Sequence, residues 1–234
     1  MSKSNKKVLV NGCGLTFGSA AIQAWPKVLA AVGVDIVNLS GPAVSNQWIV
    51  DRTAEYLLTH CDINAVIIQL TNINKLDVEV RDHRLQDLVE TDSLRNFTWQ
   101  GVWPSSVSAE HVSKQLYYEH LYSPQLLTKE LAVKLSLLNH LCQHTGIELF
   151  VYQGYAIPWT ADDLSLVADI IQNLNQTWSS EYESSSHYRL HDFANSNTVP
   201  CISWFIDKAQ QISQQLNLGV ESKIQRIQHY YCTG

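Results

Sequence analysis

The aliphatic run Val8-Leu9-Val10 passes into Asn11-Gly12-Cys13-Gly14-Leu15-Thr16-Phe17-Gly18 and then, from Ser19, into an apolar, Ala-rich stretch. A run without polar alternation suits a strand buried on both faces, and glycines followed by a helical pattern suit its handover to a crossover helix. That combination restricts the chain to folds with a parallel sheet. It also sets the glycine turn at the carboxyl edge, where open α/β sheets take their ligands. Two chemistries use such a turn: backbone N–H groups that cradle a phosphate, or a nucleophile raised on a sharp bend. A third reading is a tight turn with no chemistry of its own.

The phosphate chemistry fits poorly. Gly12-x-Gly14-x-x-x-Gly18 is a variant of the dinucleotide fingerprint, but the second strand, residues 34–39, ends without the acidic residue that would hold a ribose. No Lys-Ser/Thr pair follows the glycines, which excludes a P-loop.

Further along, apolar positions Ala21, Ala24, Val28, Leu29 and Val32 recur at helical spacing, with Pro26 expected at the first helical position and Gly33 as the stop. The strand over 34–39 runs into Ser40-Gly41-Pro42-Ala43-Val44-Ser45-Asn46, a turn-rich loop, and then a helix with Ile49, Val50, Thr53, Tyr56 and Leu57 on one face. A third strand, Ala65–Leu70, leads to Thr71-Asn72-Ile73-Asn74. Residues 75–122 lose the pattern, mix charges with Phe97, Trp99 and Trp103, and read as an insertion or lid over the site. Ser123-Pro124 opens a helix carrying Leu127, Leu131, Leu135, Leu138 and Cys142, which Gly146 ends. A strand is expected over 147–152. Thr160-Ala161-Asp162-Asp163 reads as a capped start to a helix with Leu164, Val167, Ile170, Ile171 and Leu174. Residues 179–186 are polar and expected to be mobile.

A chain of 234 residues, 45% of them hydrophobic, suits a single domain over 1–234 with a full core. Only 16% of residues are charged and the net charge is -6, so no basic stripe offers itself to a nucleic-acid backbone. No apolar run approaches a membrane span, and Met1-Ser2-Lys3-Ser4-Asn5-Lys6-Lys7 leads into a strand instead of a signal segment. The expected location is the cytoplasm. The cysteines at 13, 61, 142, 201 and 232 form no C-x-x-C pair, so reduced thiols are expected. His140 and His144 stand four apart near a helix end, where charge at a helix C-terminus explains them without a metal. No cofactor is implied.

The series Gly12-Cys13-Gly14-Leu15-Thr16-Phe17-Gly18, then Trp25-Pro26-x-x-Leu29, then Val37-Asn38-Leu39 and Ser45-Asn46, resembles the SGNH (GDSL-type) hydrolase family. In that family the first turn reads Gly-Asp-Ser-Leu-Thr-x-Gly or Gly-Cys-Ser-Phe-Thr-x-Gly, and its Ser is the nucleophile. Here Leu15, Thr16 and Gly18 match, Cys13 takes the place of the Asp, and Gly14 stands at the nucleophile position. The hydroxyl is missing. The resemblance implies a three-layer α/β/α sandwich whose central, mostly parallel sheet has flavodoxin-like order. It places Ala43 at the family's oxyanion glycine, with Gly41 two residues earlier, and a backbone donor tolerates alanine. Asn72 matches the family's side-chain oxyanion donor, while an Asx-turn at Asn72 or Asn74 is the local alternative.

The family's base lies in an Asp-x-x-His or Asp-x-His-Pro segment ahead of the final helix. In this chain that stretch runs from His187 to Pro200. Aligned on Pro200, Val199 stands at the His and Asn197 at the Asp; aligned on Asp192, Asn195 stands at the His. Neutral Ser needs a His to take its proton, so with both positions changed the resemblance argues against Ser-His ester hydrolysis. The expectation is a ligand- or partner-binding module for a small ester- or glycan-like ligand or a protein partner. The alternative is an atypical esterase or acyl-transfer enzyme using Cys13 as nucleophile with His191 and Asp192, or a hydroxyl from the insertion. Proteins of this general type are frequent in bacterial and phage genomes.

Overall fold

Strand β1 (Lys7–Gly12) is buried from Val8 onward, and it sends alternate side chains to two separate apolar clusters. That arrangement needs helices on both faces of its sheet. The computed structural model describes residues 6–17, 24–42, 44–80, 98–102, 120–184, 189–192, 197–200 and 202–232. Within them the chain is mixed α/β, built on a four-stranded, all-parallel sheet in the order β2-β1-β3-β6. Here β2 is Asp35–Asn38, β3 is Ala65–Leu70 and β6 is Glu148–Gln153. Val8 stands opposite Ile36 on one side and Ala65 on the other, and Ala65 in turn opposite Glu148. The two central strands are wholly aliphatic apart from Asn11, Gly12 and Gln69 at their carboxyl ends and Lys7 at the start. Polar chemistry is therefore confined to the edges.

One face carries Val8, Val10 and Ile67 against α2 (Trp25–Ala31), α7 (Ile202–Gln215) and α8 (Glu221–Cys232), through Trp25, Leu29, Phe205, Ile206, Ile212 and Ile224. The other carries Leu9, Val66 and Ile68 against α3 (Asn46–Thr59), α4 (Pro124–Thr145) and α5 (Ala161–Val167), through Ile49, Leu135, Leu138 and Val167. Helix starts follow local chemistry. The Ser45 side chain accepts from the Trp48 N–H, and the Ser123 side chain from the Leu126 N–H with Pro124 leading the helix. Thr160 and Asp163 close a reciprocal capping box. Gly146 ends α4 at φ 71°, a left-handed conformation that glycine adopts without penalty.

The structure corrects several expectations. Helix α2 begins at Trp25, after Ala24, with Pro26 at its second position; residues 18–23 lie outside the described residues. The helix expected to include Ile170, Ile171 and Leu174 stops at Val167. Ile171 instead pairs in parallel with Val151, with Val151 N–H on Ile170 O at 3.1 Å and Gln172 N–H on Val151 O at 2.8 Å. Asn173 holds the turn there, accepting from Gln153 N–H at 2.7 Å and donating back to Gln153 O at 3.1 Å. The stretch expected to be mobile forms α6 (Trp178–Ser184), because Trp178 packs edge-on against Trp25 and Trp204 at 6.1 and 5.7 Å. Residues 185–186 lie outside the described residues.

Two antiparallel hairpins complete the described chain. Within the 75–122 segment, β4 (Leu76–Val80) pairs with β5 (Thr98–Val102), and before α7, β7 (Arg189–Asp192) pairs with β8 (Asn197–Pro200). The short α1 (Gly14–Phe17) follows β1 directly. Among the described residues, no helix is long and apolar enough to cross a membrane.

Candidate functional site

The carboxyl ends of β1, β2, β3 and β6 are cross-tied by polar groups that the sheet has no use for elsewhere. β1 ends in Asn11, fully buried, whose Nδ2 donates to Ile49 O at 2.9 Å and to Thr53 Oγ1 at 3.1 Å. Its Oδ1 accepts the next N–H, that of Gly12, at 2.8 Å. The β1 turn is thereby bolted to α3. On the opposite face Gln69, also fully buried, accepts from Cys13 N–H at 3.1 Å and from the Thr16 hydroxyl at 3.2 Å, and donates to Leu70 O at 2.6 Å. With its oxygen accepting two bonds and its nitrogen donating one, this buried amide is a partner to the turn instead of a source of unmet polarity. Gly154, just past β6, donates its N–H to the same Leu70 O at 2.8 Å.

The loop after β2 is drawn onto β1: Leu39 N–H donates to Val10 O at 2.8 Å and Gly41 N–H to Gly12 O at 3.1 Å. At its far end Asn46 grips the backbone of Thr71, donating from Nδ2 to Thr71 O at 3.0 Å and accepting Thr71 N–H on Oδ1 at 2.7 Å. This side chain acts as a one-residue strand extension between α3 and β3. Beyond Thr71, Asn72 accepts Asn74 N–H on Oδ1 at 2.9 Å, an Asx-turn, and Asn74 Oδ1 accepts from the Tyr122 hydroxyl. Lys75 then reaches back so that Nζ donates to Cys13 Sγ at 2.8 Å.

The glycine turn, the loop after β2 and the turn after β3 thus share one set of hydrogen bonds at one edge. Gly14, Gly41 and Asn72 lie on these three segments. Gly41 has its N–H committed to Gly12, whereas Asn72 has Oδ1 held locally and its Nδ2 makes no hydrogen bond among the described residues. The Gly14 N–H, at the start of α1, likewise has no partner among the described residues. Ala43 and Asn195 lie outside the described residues. His191 and Asp192 are paired across the β7–β8 hairpin with Thr198 and Asn197, and Val199 with Leu190; their side chains lie outside what the structure describes.

Cys13 is 3% exposed and belongs to the apolar cluster with Leu9 and Ile49. Its environment differs from that of Cys142, which has only apolar company and whose thiol burial pushes up to about 11, the mark of an inert structural cysteine. The hydroxyls nearest the turn are engaged or sealed. Thr16 is bound to Gln69, Ser40 donates to Asn38 Oδ1 at 2.5 Å, and Thr71 Oγ1 is buried with no partner among the described residues. His140 and His144 are both exposed on α4, and among the described residues no group of three or more His, Cys, Asp or Glu is placed to hold a metal ion.

Gln69, Asn46 and Lys75 carry much of this geometry, and sequence reasoning assigned roles to none of them. Gln69 had a signal, as the one polar residue inside the strand Ala65–Leu70. Lys75 had none, because its contact depends on a turn 62 residues away. Fold and edge together define an α/β protein with a polar, cross-linked carboxyl edge on a parallel sheet. Set against known proteins, the chain matches no family model and no curated protein.

Proposed function

We propose that this chain is an SGNH-hydrolase-like module that binds a small ester- or glycan-like ligand, or a protein partner, at the carboxyl edge of its sheet without Ser-His ester hydrolysis. The observation that carries the reading is the state of the first turn: Gly14 stands where a nucleophile would, and the neighbouring Thr16 hydroxyl is turned inward onto buried Gln69. Unengaged donors remain on the same edge at Gly14 N–H and Asn72 Nδ2, the groups that would hold a carbonyl or acetyl oxygen. Recognition survives in this arrangement while the attacking atom does not. Titrating an acetylated monosaccharide while following backbone amide resonances tests it. Saturable shifts concentrated at Gly14, Asn72 and Asn46, with no turnover of p-nitrophenyl acetate above heat-denatured protein, are expected. Shifts confined to other surfaces would remove the binding site from this edge.

A second reading, an atypical acyl-transfer enzyme, is favoured by one contact, the Lys75 ammonium on Cys13 Sγ at 2.8 Å. A thiolate is the reactive form of cysteine, and a cation in contact with sulfur is a partner for it. Turnover of p-nitrophenyl acetate that disappears in Cys13→Ala would establish this reading in place of the first.

A further inference from the structure

Cys13 and Lys75 come from different turns, the one after β1 and the one after β3, and they meet as a nucleophilic sulfur and a primary amine 2.8 Å apart. Cys13 is almost fully buried and Lys75 half-buried, so bulky reagents are kept from the sulfur while a molecule close to water in size is the kind that can reach it. The group set against Sγ is therefore an amine. We propose that hydrogen peroxide converts this pair into a reversible covalent cross-link, a sulfenamide between Cys13 Sγ and Lys75 Nζ.

The chemistry balances with one equivalent of peroxide. Sγ attacks a peroxide oxygen, the O–O bond breaks, and the departing hydroxide takes the thiol proton to leave as water, giving a sulfenic acid. The Lys75 ammonium gives one proton to solvent and, as the amine so formed, attacks the sulfenic sulfur: the N–S bond forms, the S–O bond breaks, and the departing hydroxide takes an amine proton as a second water. Sulfur is oxidised by two electrons and the peroxide is reduced by two. The linked protein is lighter by two hydrogen atoms. A dithiol reverses the step by attacking sulfur and returning the amine. Sulfenic acids are ordinarily captured by a nearby nucleophile, and here the amine is already in contact. The link would fasten the Gly12–Gly14 turn to the turn after β3, fixing the polar edge whether or not that edge binds a ligand.

The test treats the native full-length protein with hydrogen peroxide, blocks remaining thiols with N-ethylmaleimide under denaturing conditions, and maps the digest by mass spectrometry without reductant. The expected product joins the Cys13 and Lys75 peptides with the loss of two hydrogens from their summed mass, and dithiothreitol separates them. In Lys75→Arg the joined species should vanish and Cys13 should carry added oxygen instead; in Cys13→Ala it should vanish altogether. Wild-type Cys13 recovered as sulfinic or sulfonic acid with Lys75 unlinked would overturn the proposal. So would unmodified Cys13 beside oxidised, exposed Cys61, or a linked pair retaining an extra oxygen. Because the decisive readout is on wild-type protein, a variant that fails to fold does not obscure it.

Discussion

Gly12, Gly14 and Gly154 lie on one edge of the sheet for different physical reasons. A Cβ on Gly12 would stand 2.6 Å from Thr16 Oγ1 and 2.9 Å from Gln69 Cβ, and one on Gly154 would overlap Gln69 Nε2 and lie 2.6 Å from Leu70 O. Both are therefore glycine so that the Gln69 amide can fill the edge. Gly12→Ala and Gly154→Ala should each destabilise the fold by about 1–3 kcal/mol, the usual cost of overpacking, read as a lower denaturant midpoint with unchanged slope. Unaltered midpoints would mean that Gln69 moves aside freely. Gly14 is different: its φ is not left-handed, so its backbone does not demand glycine. Gly14→Ser should fold with stability equal to the parent or raised by about 0.4–1 kcal/mol through the unfolded chain. It should still fail to hydrolyse p-nitrophenyl acetate, because a hydroxyl without a base is a weak nucleophile. A single oxyanion donor contributes only on the order of 10²–10³ in rate. Ester turnover in Gly14→Ser above the heat-denatured control would show that a base is in place after all.

At the scale of elements, buried charge and surface charge do different work. Lys208 on α7 is 3% exposed, paired with Glu181 of α6, bonded to Gln211 at 3.0 Å, and set over the Trp178 and Trp204 rings at 5.8 and 5.5 Å. It is the polar rivet that fastens α6 to α7. Lys208→Ala should cost about 1.5–3 kcal/mol, the range for hydrogen bonds to charged groups. A loss no larger than that of an exposed lysine would show that the tryptophans hold α6 alone. Lys7 of β1 and Asp62, just before β3, form an exposed pair at 2.6 Å, which raises Lys7 above its ordinary 10.5 and lowers Asp62 below 3.8 mainly through their shared hydrogen bond. The pair's contribution is complete between those ordinary values. It fades as pH falls through the lowered Asp62 value and as it rises through the raised Lys7 value. An NMR titration should find the Asp62 carboxyl midpoint below 3.8, moving up in Lys7→Met; a midpoint at or above 3.8 would deny the pair in solution. What the sequence discloses at this scale follows the range of the interactions. The caps at Ser123 and Thr160 and the stop at Gly146 are decided within a few residues and were legible. α6 was not, because the burial of Trp178 is supplied by Trp25 and Trp204, far off in the chain. The Ile170–Ile171 pair was misread because a short apolar run satisfies helix and strand periodicity alike, and Asn173 decides between them by binding Gln153.

For the whole molecule, the governing fact is that one sheet serves two cores. Val8, Val10 and Ile67 pack with Phe205 and Ile206, while Leu9, Val66 and Ile68 pack with Leu135 and Leu138, and the side chains alternate along the same two strands. Neither face can lose its helices without exposing strands that hold the other, so the parts should melt together. The candidate edge inherits this coupling, since Asn11 ties the β1 turn to α3 on one face and Gln69 closes it on the other. The glycine turn and the Asx-turn at Asn72 could be read from the sequence, but the grips of Asn11 and Asn46, the closure by Gln69 and the Lys75–Cys13 contact required knowing which elements are neighbours. Leu135→Ala, at 0% exposure on one face, and Phe205→Ala, at 1% on the other, should each cost about 2–5 kcal/mol. Each should shift a single transition, with far-ultraviolet circular dichroism and tryptophan fluorescence coincident. Trp25, Trp178 and Trp204 lie in one core and Trp48 and Trp159 pack against the other, so the fluorescence reports both faces. If the circular dichroism and fluorescence midpoints of Leu135→Ala failed to coincide, the two faces would be separate cooperative units and the single-domain reading would fall.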